Sequence, residues 1–191
     1  STAVLGAPGR GGFDSEKRGA AYVFGRSDGD WTQQAKFTAD DEHSDDTFAP
    51  VVELSADGST AMVGAPESES YSQEYANAAY VFSRSDGVWT QEDRLIPKGD
   101  PGEIYFGKKL ALSRDGSVAL IGVVNIGEHA YVFSKSEDSW AQERRFSGDG
   151  GPFAGFGYDV GVSGNGGRAV VGTPAEDDPD REGSGAVYVY E

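Results

Sequence analysis

Asp178-Pro179-Asp180-Arg181-Glu182-Gly183 sets carboxylates at alternate positions ahead of a glycine. Side chains two apart on an extended loop point the same way, and hard carboxylate oxygens gathered so are calcium ligands. Asp178, Asp180 and Glu182 are therefore the candidate metal ligands, with calcium the candidate cofactor. The closing bidentate acid of a twelve-residue calcium loop is missing, because Val189 stands at the twelfth position inside an apolar run. The motif reads as a weak or shared site. A second acidic stretch, Asp40-Asp41-Glu42-His43-Ser44-Asp45-Asp46, lacks regular spacing.

Residues for covalent or acid–base chemistry are sparse. The chain has no cysteine, so no thiolate serves as nucleophile or ligand and no disulfide staples the fold. His43 and His129 are its two histidines, and His129 replaces the alanine found at the matching positions 20 and 78. The G-x-S-x-G match at Gly25-Arg26-Ser27-Asp28-Gly29 falls in a hairpin turn rather than a strand-to-helix elbow, there is no phosphate-cradling glycine loop leading into a helix, and no carboxylate pair has a context that marks it as acid and base. No catalytic residue is assigned, and the protein reads as not an enzyme.

With 32 acids against 16 bases, the net charge of −16 repels nucleic acid and anionic membrane surfaces. The acids are spread over loops and strand edges, as suits solubility, a high-salt setting or cation binding. No apolar run approaches the ~18 residues that span a bilayer. The chain opens directly on Ala3-Val4-Leu5 with no visible leader, which reads as a processed product or a portion of a longer chain.

The elements that position these residues repeat. Ala78 to Leu95, AAYVFSRSDGVWTQEDRL, has close copies at Ala20 (AAYVFGRSDGDWTQQAKF) and His129 (HAYVFSKSEDSWAQERRF), and a half-copy ends the chain at Ala186 to Tyr190. Tyr22, Tyr80, Tyr131 and Tyr188 are spaced by 58, 51 and 57 residues, and Gly6, Gly64, Gly122 and Gly172 by 58, 58 and 50. A unit of this length holds four short strands, the scale of a propeller blade. One unit reads as strand a (Val51 to Leu54), b (Thr60 to Gly64), c (Ala79 to Phe82) and d (Trp89 to Leu95). Tight turns join a to b (Ser55-Ala-Asp57-Gly58, with copies at Ser113 and Ser163) and c to d (Ser85-Asp86-Gly87).

Helical periodicity is absent, so the chain reads as all-β, with β-propeller blades of four antiparallel strands and about three and a half to four blades in total. Strand b is continuously apolar, as expected where both faces are buried; strand d alternates with charge, as an outer edge does. Strand a is then innermost. The recurring Trp31, Trp89 and Trp140 each open strand d, where packing on the adjacent blade explains the period better than sugar stacking. The organisation is one propeller or propeller segment over 1–191: a partial blade 1–37, blades 48–95 and 106–146, and a partial blade 156–191.

Phe-Gly precedes strand a at Phe106-Gly107 and Phe156-Gly157, and Gly-Ala-Pro follows strand b at Gly6-Ala7-Pro8 and Gly64-Ala65-Pro66. In that order, with S-x-D-G, Y-V-F and Trp between them, the motifs resemble the FG-GAP repeat, found in the β-propeller of integrin α subunits and in many secreted or surface proteins of microbes. The departures are Phe48-Ala49-Pro50 for Phe-Gly, and Gly122-Val123-Val124 and Gly172-Thr173-Pro174 for Gly-Ala-Pro. Many family members hold calcium in a D-x-D-x-D-G loop between strands a and b. The S-x-D-G turn here offers a single carboxylate.

The resemblance implies an extracellular or cell-surface recognition and adhesion module without catalysis. In such propellers the b–c and d–a loops share one face, which generally binds ligands. Here those loops carry Arg10, Asp14, Asp41, Asp45, Tyr71 and Tyr75 as candidate ligand-binding residues, with the tyrosines as contact anchors. A protein or glycan is the expected ligand. The first unit lacks strand a and the last lacks strand d, so a second copy (a homo-oligomer) or the remainder of a longer chain is expected to complete the blades. Two alternatives follow: a structural subunit of a surface layer or filament that assembles through unpaired terminal strands, and a carbohydrate-binding lectin.

Overall fold

The computed structural model describes residues 1–8, 19–39, 48–66, 77–98, 105–123, 129–137, 139–148, 154–175 and 184–191. They form fourteen strands: β1 (Thr2–Ala7), β2 (Ala20–Ser27), β3 (Asp30–Phe37), β4 (Val52–Leu54), β5 (Thr60–Ala65), β6 (Ala78–Ser85), β7 (Val88–Leu95), β8 (Phe106–Leu112), β9 (Val118–Val123), β10 (His129–Ser136), β11 (Ser139–Ser147), β12 (Asp159–Val162), β13 (Ala169–Thr173) and β14 (Ala186–Tyr190). They make four antiparallel sheets in sequential order: β1-β2-β3, β4-β5-β6-β7, β8-β9-β10-β11 and β12-β13-β14. The all-β reading holds, and these sheets are here called blades 1 to 4.

Turn chemistry sets each hairpin. Between the c and d strands, Asp28-Gly29 and Asp86-Gly87 take positive φ at both central residues, the two-residue geometry that matches strand twist. Between a and b, Ser55 Oγ donates to Asp57 Oδ1 (2.6 Å) and accepts from the Thr60 amide (2.9 Å). Ser113 repeats this with Asp115 and Val118, and Ser163 repeats it with Asn165 and Arg168. These hydroxyl and backbone hydrogen bonds hold the Asp57 and Asp115 carboxyls below the usual carboxylate range. The turns also join blade to blade: the Ala56 amide donates to Arg114 O (2.9 Å) and the Arg114 amide to Gly164 O (3.0 Å).

A β-bulge interrupts the c–d register at the same place three times, leaving Gln34, Glu92 and Glu143 without an opposite residue. The extra residue turns its side chain across strand c or toward the next blade. Glu143 accepts from Ser134 Oγ (2.7 Å), and Glu92 pairs with Lys135 of blade 3.

The core lies between blades rather than within one. Along strand b, alternate residues face opposite neighbours: Val4, Met62 and Leu120 pack toward the following blade, and Val63, Ile121 and Val171 toward the preceding one. Strand c does the same, with Val23, Val81 and Val132 facing forward and Tyr80, Tyr131 and Tyr188 facing back. Each junction therefore joins a small aliphatic surface to an aromatic one. Phe37 of β3 stacks on Phe82 at 4.0 Å, and Phe146 of β11 stacks on Tyr190 at 3.8 Å.

Phe-Gly and the glycine of strand b prove to be two halves of one contact. A Cβ at Gly6 would lie 2.1 Å from Ala49 O, one at Gly64 2.1 Å from Gly107 O, and one at Gly122 2.4 Å from Gly157 O. The carbonyl after each phenylalanine thus sits against the preceding blade's glycine, while Phe48, Phe106 and Phe156 are buried beside it. Gly107 and Gly157 need positive φ to turn that carbonyl, and Ala49 adopts the same φ of 67° despite its side chain.

Two expectations need correction. Strand b is buried on both faces in β5 and nearly so in β9, but β1 and β13 each leave one face uncovered by the described residues. The tryptophans pack between blades only where a preceding blade exists. Trp89 meets Phe37 edge-on at 5.4 Å and Trp140 is 8% exposed, whereas Trp31 is 49% exposed.

Candidate recognition face

The topology sends the chain out of every blade by one rim. Strands b end and strands c begin there, as at Ala65 and Ala78, and strands d end and strands a begin there, as at Leu95 and Phe106. The tight a–b and c–d turns occupy the other rim. Hairpins this short leave no chain for a ligand, so any recognition by loops falls to the first rim.

The candidate ligand residues Arg10, Asp14, Asp41, Asp45, Tyr71 and Tyr75 belong to the connections on that rim and lie outside the described residues. So do the candidate calcium ligands Asp178, Asp180 and Glu182. Among the described residues, no three acidic or histidine side chains gather around one point. Both Asp57 carboxylate oxygens are taken up by Ser55 and Ser59, leaving that turn organised around its own hydroxyls.

What is described on this rim are the anchors of the connections. Asn77, buried ahead of β6, accepts from the Tyr105 amide (3.0 Å), tying blade 2's b–c connection to the residue that enters blade 3. Thr173 Oγ1 donates to Ala154 O (2.7 Å) in blade 4. The Lys98 amide donates to Gln142 Oε1 (2.7 Å), holding the chain after β7 against β11. Loop ends pinned this way fix where a variable segment starts, whatever its sequence.

Sequence reasoning missed two lysine–tyrosine pairs, one at the entry to blade 3 and one between blades 3 and 4. Lys108 Nζ lies 4.5 Å from the centroid of the Tyr105 ring, and Lys109 Nζ lies 5.4 Å from that of Tyr158. Tyr158 is exposed, and Tyr105 holds a positive φ of 70°. In a chain of charge −16, two ammonium groups over phenol rings make a local donor-rich, aromatic surface. Their sequence signal was available: all four flank the Phe106-Gly107 and Phe156-Gly157 pairs. His129 Nδ1 and Ser147 Oγ are 3.0 Å apart because they face each other in the β10–β11 register.

Comparison with known proteins agrees with this architecture. The chain is similar in fold to the β-propeller domain of Myceliophteria thermophila Cps50 (Swd1), with a TM-score of 0.54 and 10% identity, over 82% of this chain and 42% of that one. It thus spans less than half the length of that domain. No curated protein matches the sequence. The family model described as FG-GAP repeat matches residues 31–82 and 140–190. More than half of the sequence fits that model, with its Phe-Gly, turn and Gly-Ala-Pro motifs in their structural places, and the chain belongs to the FG-GAP repeat family.

Proposed function

We infer that this protein is a non-catalytic recognition module acting outside the cell, which meets a protein or glycan ligand through the rim that carries its b–c and d–a connections. One observation carries the reading: every long connection leaves from the same rim, while the opposite rim is closed by short, self-satisfied turns. Family membership supports a role in protein interaction, and the extracellular setting and adhesive role are the finer parts of the proposal. Tyr71, Tyr75, Tyr105 and Tyr158 are its proposed aromatic anchors, since a tyrosine buries a large ring while keeping a hydroxyl for polar contact. The lectin alternative is weakened by the burial of Trp140 and the packing of Trp89 between blades, which leave Trp31 as the one broadly exposed tryptophan. The test is binding to immobilised extracellular-matrix glycoproteins, untreated and enzymatically deglycosylated. Saturable binding that Tyr71→Ala/Tyr75→Ala reduces about tenfold, and that Asp57→Asn on the opposite rim leaves unchanged, supports the reading. Binding indifferent to the tyrosines, or lost with Asp57→Asn, refutes it.

A further inference from the structure

In a repeat protein, residues that recur in every copy serve the scaffold, and residues found in one copy alone are free for other work. The entry to blade 3 departs from its counterparts on both sides of a shared Phe-Gly. Tyr105 stands where blade 4 has Gly155, Lys108 where the other blades have Pro50 and Tyr158, and Lys109 where they have Val51 and Asp159.

Two of these departures carry a cost. Tyr105 holds a φ of 70° beside 81° for Gly155, and an aromatic side chain is a rare occupant of left-handed backbone. Val51 packs into the core between blades 2 and 3; at its position Lys109 lays its stem against Gly122 and has to carry a charge out of the junction. Among the described residues, the Tyr105 ring belongs to none of the hydrophobic clusters that join the blades. Local rules broken without a packing gain mark functional sites.

Both departures converge on the rim that carries the long connections. The β8–β9 register slips here, leaving Gly107 and Lys108 unopposed between Phe106↔Val123 and Lys109↔Gly122, and a bulge re-aims the side chain it frees. The Lys108 amide donates to Tyr105 O (3.1 Å), and the Lys108 ammonium lies 4.5 Å from the centroid of the Tyr105 ring. The Lys109 ammonium lies 5.4 Å from that of Tyr158, across the junction with blade 4. In a chain with twice as many acids as bases, neither ammonium meets a carboxylate among the described residues, where the ion pairs join Lys135 to Glu92 and Arg168 to Glu191. A lysine folded onto a ring also has less freedom to lose on binding than one extended into water.

We propose that Lys108 and Lys109 form an anion-binding subsite of the rim, and that it takes an acidic segment of a protein ligand. This rests on the rim being the recognition face and names the chemistry of its ligand. Neighbouring side chains of an extended strand point to opposite sides, so the two ammoniums serve separate carboxylates, as an extended peptide with acidic residues at alternate positions supplies. Each tyrosine has its own lysine over one face, so the pair offers N–H and O–H donors rather than the open aromatic platform on which a sugar ring stacks.

The probe is a capped peptide of repeated Gly-Glu, titrated into the isotopically labelled whole chain and followed by NMR. The titration is run in about 0.15 M salt, where charges more than about 8 Å away are screened. Saturable shifts centred on Tyr105 to Lys109 are expected, and a Gly-Gln peptide of the same length should produce none. Lys108→Gln/Lys109→Gln should weaken binding about tenfold through the loss of two charge-assisted contacts. Arg26→Gln/Arg114→Gln removes the same charge from the opposite rim and should leave binding unchanged. Glutamine keeps most of the lysine stem, so the unfolding midpoint should match that of the parent; if it does not, Lys108→Gln alone gives the same readout from an exposed position. The proposal is overturned if the Gly-Glu peptide does not bind saturably, if Gly-Gln binds equally, if the lysine variant binds as the parent does, or if the arginine variant is weakened as much. Tighter binding of an oligogalacturonate through the same lysines also overturns it, since the ligand would then be an acidic glycan. Matrix-glycoprotein binding that is lost with Tyr71→Ala/Tyr75→Ala but unmoved by Lys108→Gln/Lys109→Gln leaves the rim reading standing and refutes this one. Lysine-dependent binding of the Gly-Glu peptide without any matrix-glycoprotein binding does the reverse.

Discussion

Gly64→Ala tests the central packing claim, that the glycine of strand b exists to admit a carbonyl from the next blade. The added Cβ would lie 2.1 Å from Gly107 O and 2.6 Å from Val51 Cγ1. Unstrained heavy-atom contacts lie near 3.5 Å, so blades 2 and 3 must separate locally by about 1 Å or more. Gly107 O is backbone in a turn with positive φ and has no rotamer to yield. Overpacking of this kind costs about 1–3 kcal/mol, and a rigid obstacle places the cost at the upper end. Alanine recovers only about 0.4–1 kcal/mol by restricting the unfolded chain. The net expectation is a loss of about 2 kcal/mol, read as a lowered denaturation midpoint at unchanged slope, or as a fall in Tm of roughly 4–8 °C for a chain of this size. Gly161→Ala is the internal control, because nothing lies within 4 Å of its Cβ position and its φ is unstrained; it should be neutral or slightly stabilising. Gly64→Ala as stable as the parent, or Gly161→Ala equally damaging, would refute the argument.

Trp140→Ala should cost about 3–5 kcal/mol because the ring is buried between blades 2 and 3, whereas Trp31→Ala, half exposed on the open face of blade 1, should cost less than about 1 kcal/mol by urea denaturation. Ser113→Ala removes a fully buried hydroxyl that accepts from the Val118 amide, and leaving that N–H unpaired should cost about 1–3 kcal/mol, with faster hydrogen exchange at Val118. The depressed pKa values of Asp57 and Asp115 give a stabilisation that is complete above the ordinary aspartate value of about 3.9 and is lost as pH falls through their lower folded values. Both groups are largely exposed, so the effect is small; Asp57→Asn/Asp115→Asn, which copies Asn165, should flatten the acid limb of a stability-versus-pH curve below about pH 4. Burial raises the Glu53 carboxyl, so Glu53→Gln should stabilise the protein at neutral pH, with the advantage fading as pH falls through that raised folded value toward the ordinary glutamate value.

The propeller architecture was legible because its signals are local. Alternation in Tyr80-Val81-Phe82, the Asp86-Gly87 and Ser55-Ala-Asp57-Gly58 turns, and repetition at a fixed period each constrain a hairpin without reference to distant residues. The bulges at Gln34, Glu92 and Glu143 were not legible, since an unpaired residue in strand d is defined only by its register against strand c. The meeting of Lys109 with Tyr158 was not legible for a similar reason: the two are far apart in sequence and come together only because β8 and β12 lie in adjacent blades. The acidic and tyrosine-bearing connections were singled out by composition, which identifies side chains available for contact but not where they converge.

Sequence alone determined the repeat, the strand types, the turn residues and the family, because backbone preference and period are properties of neighbouring residues. Tertiary structure decided which copy of each motif is used. Trp140 is core and Trp31 is surface, and Gly122 is filled by a carbonyl while Gly172 is open, although the residue types are identical. The physical reason is that a blade buries its faces only against another blade, so equivalent residues differ by the neighbour they are given.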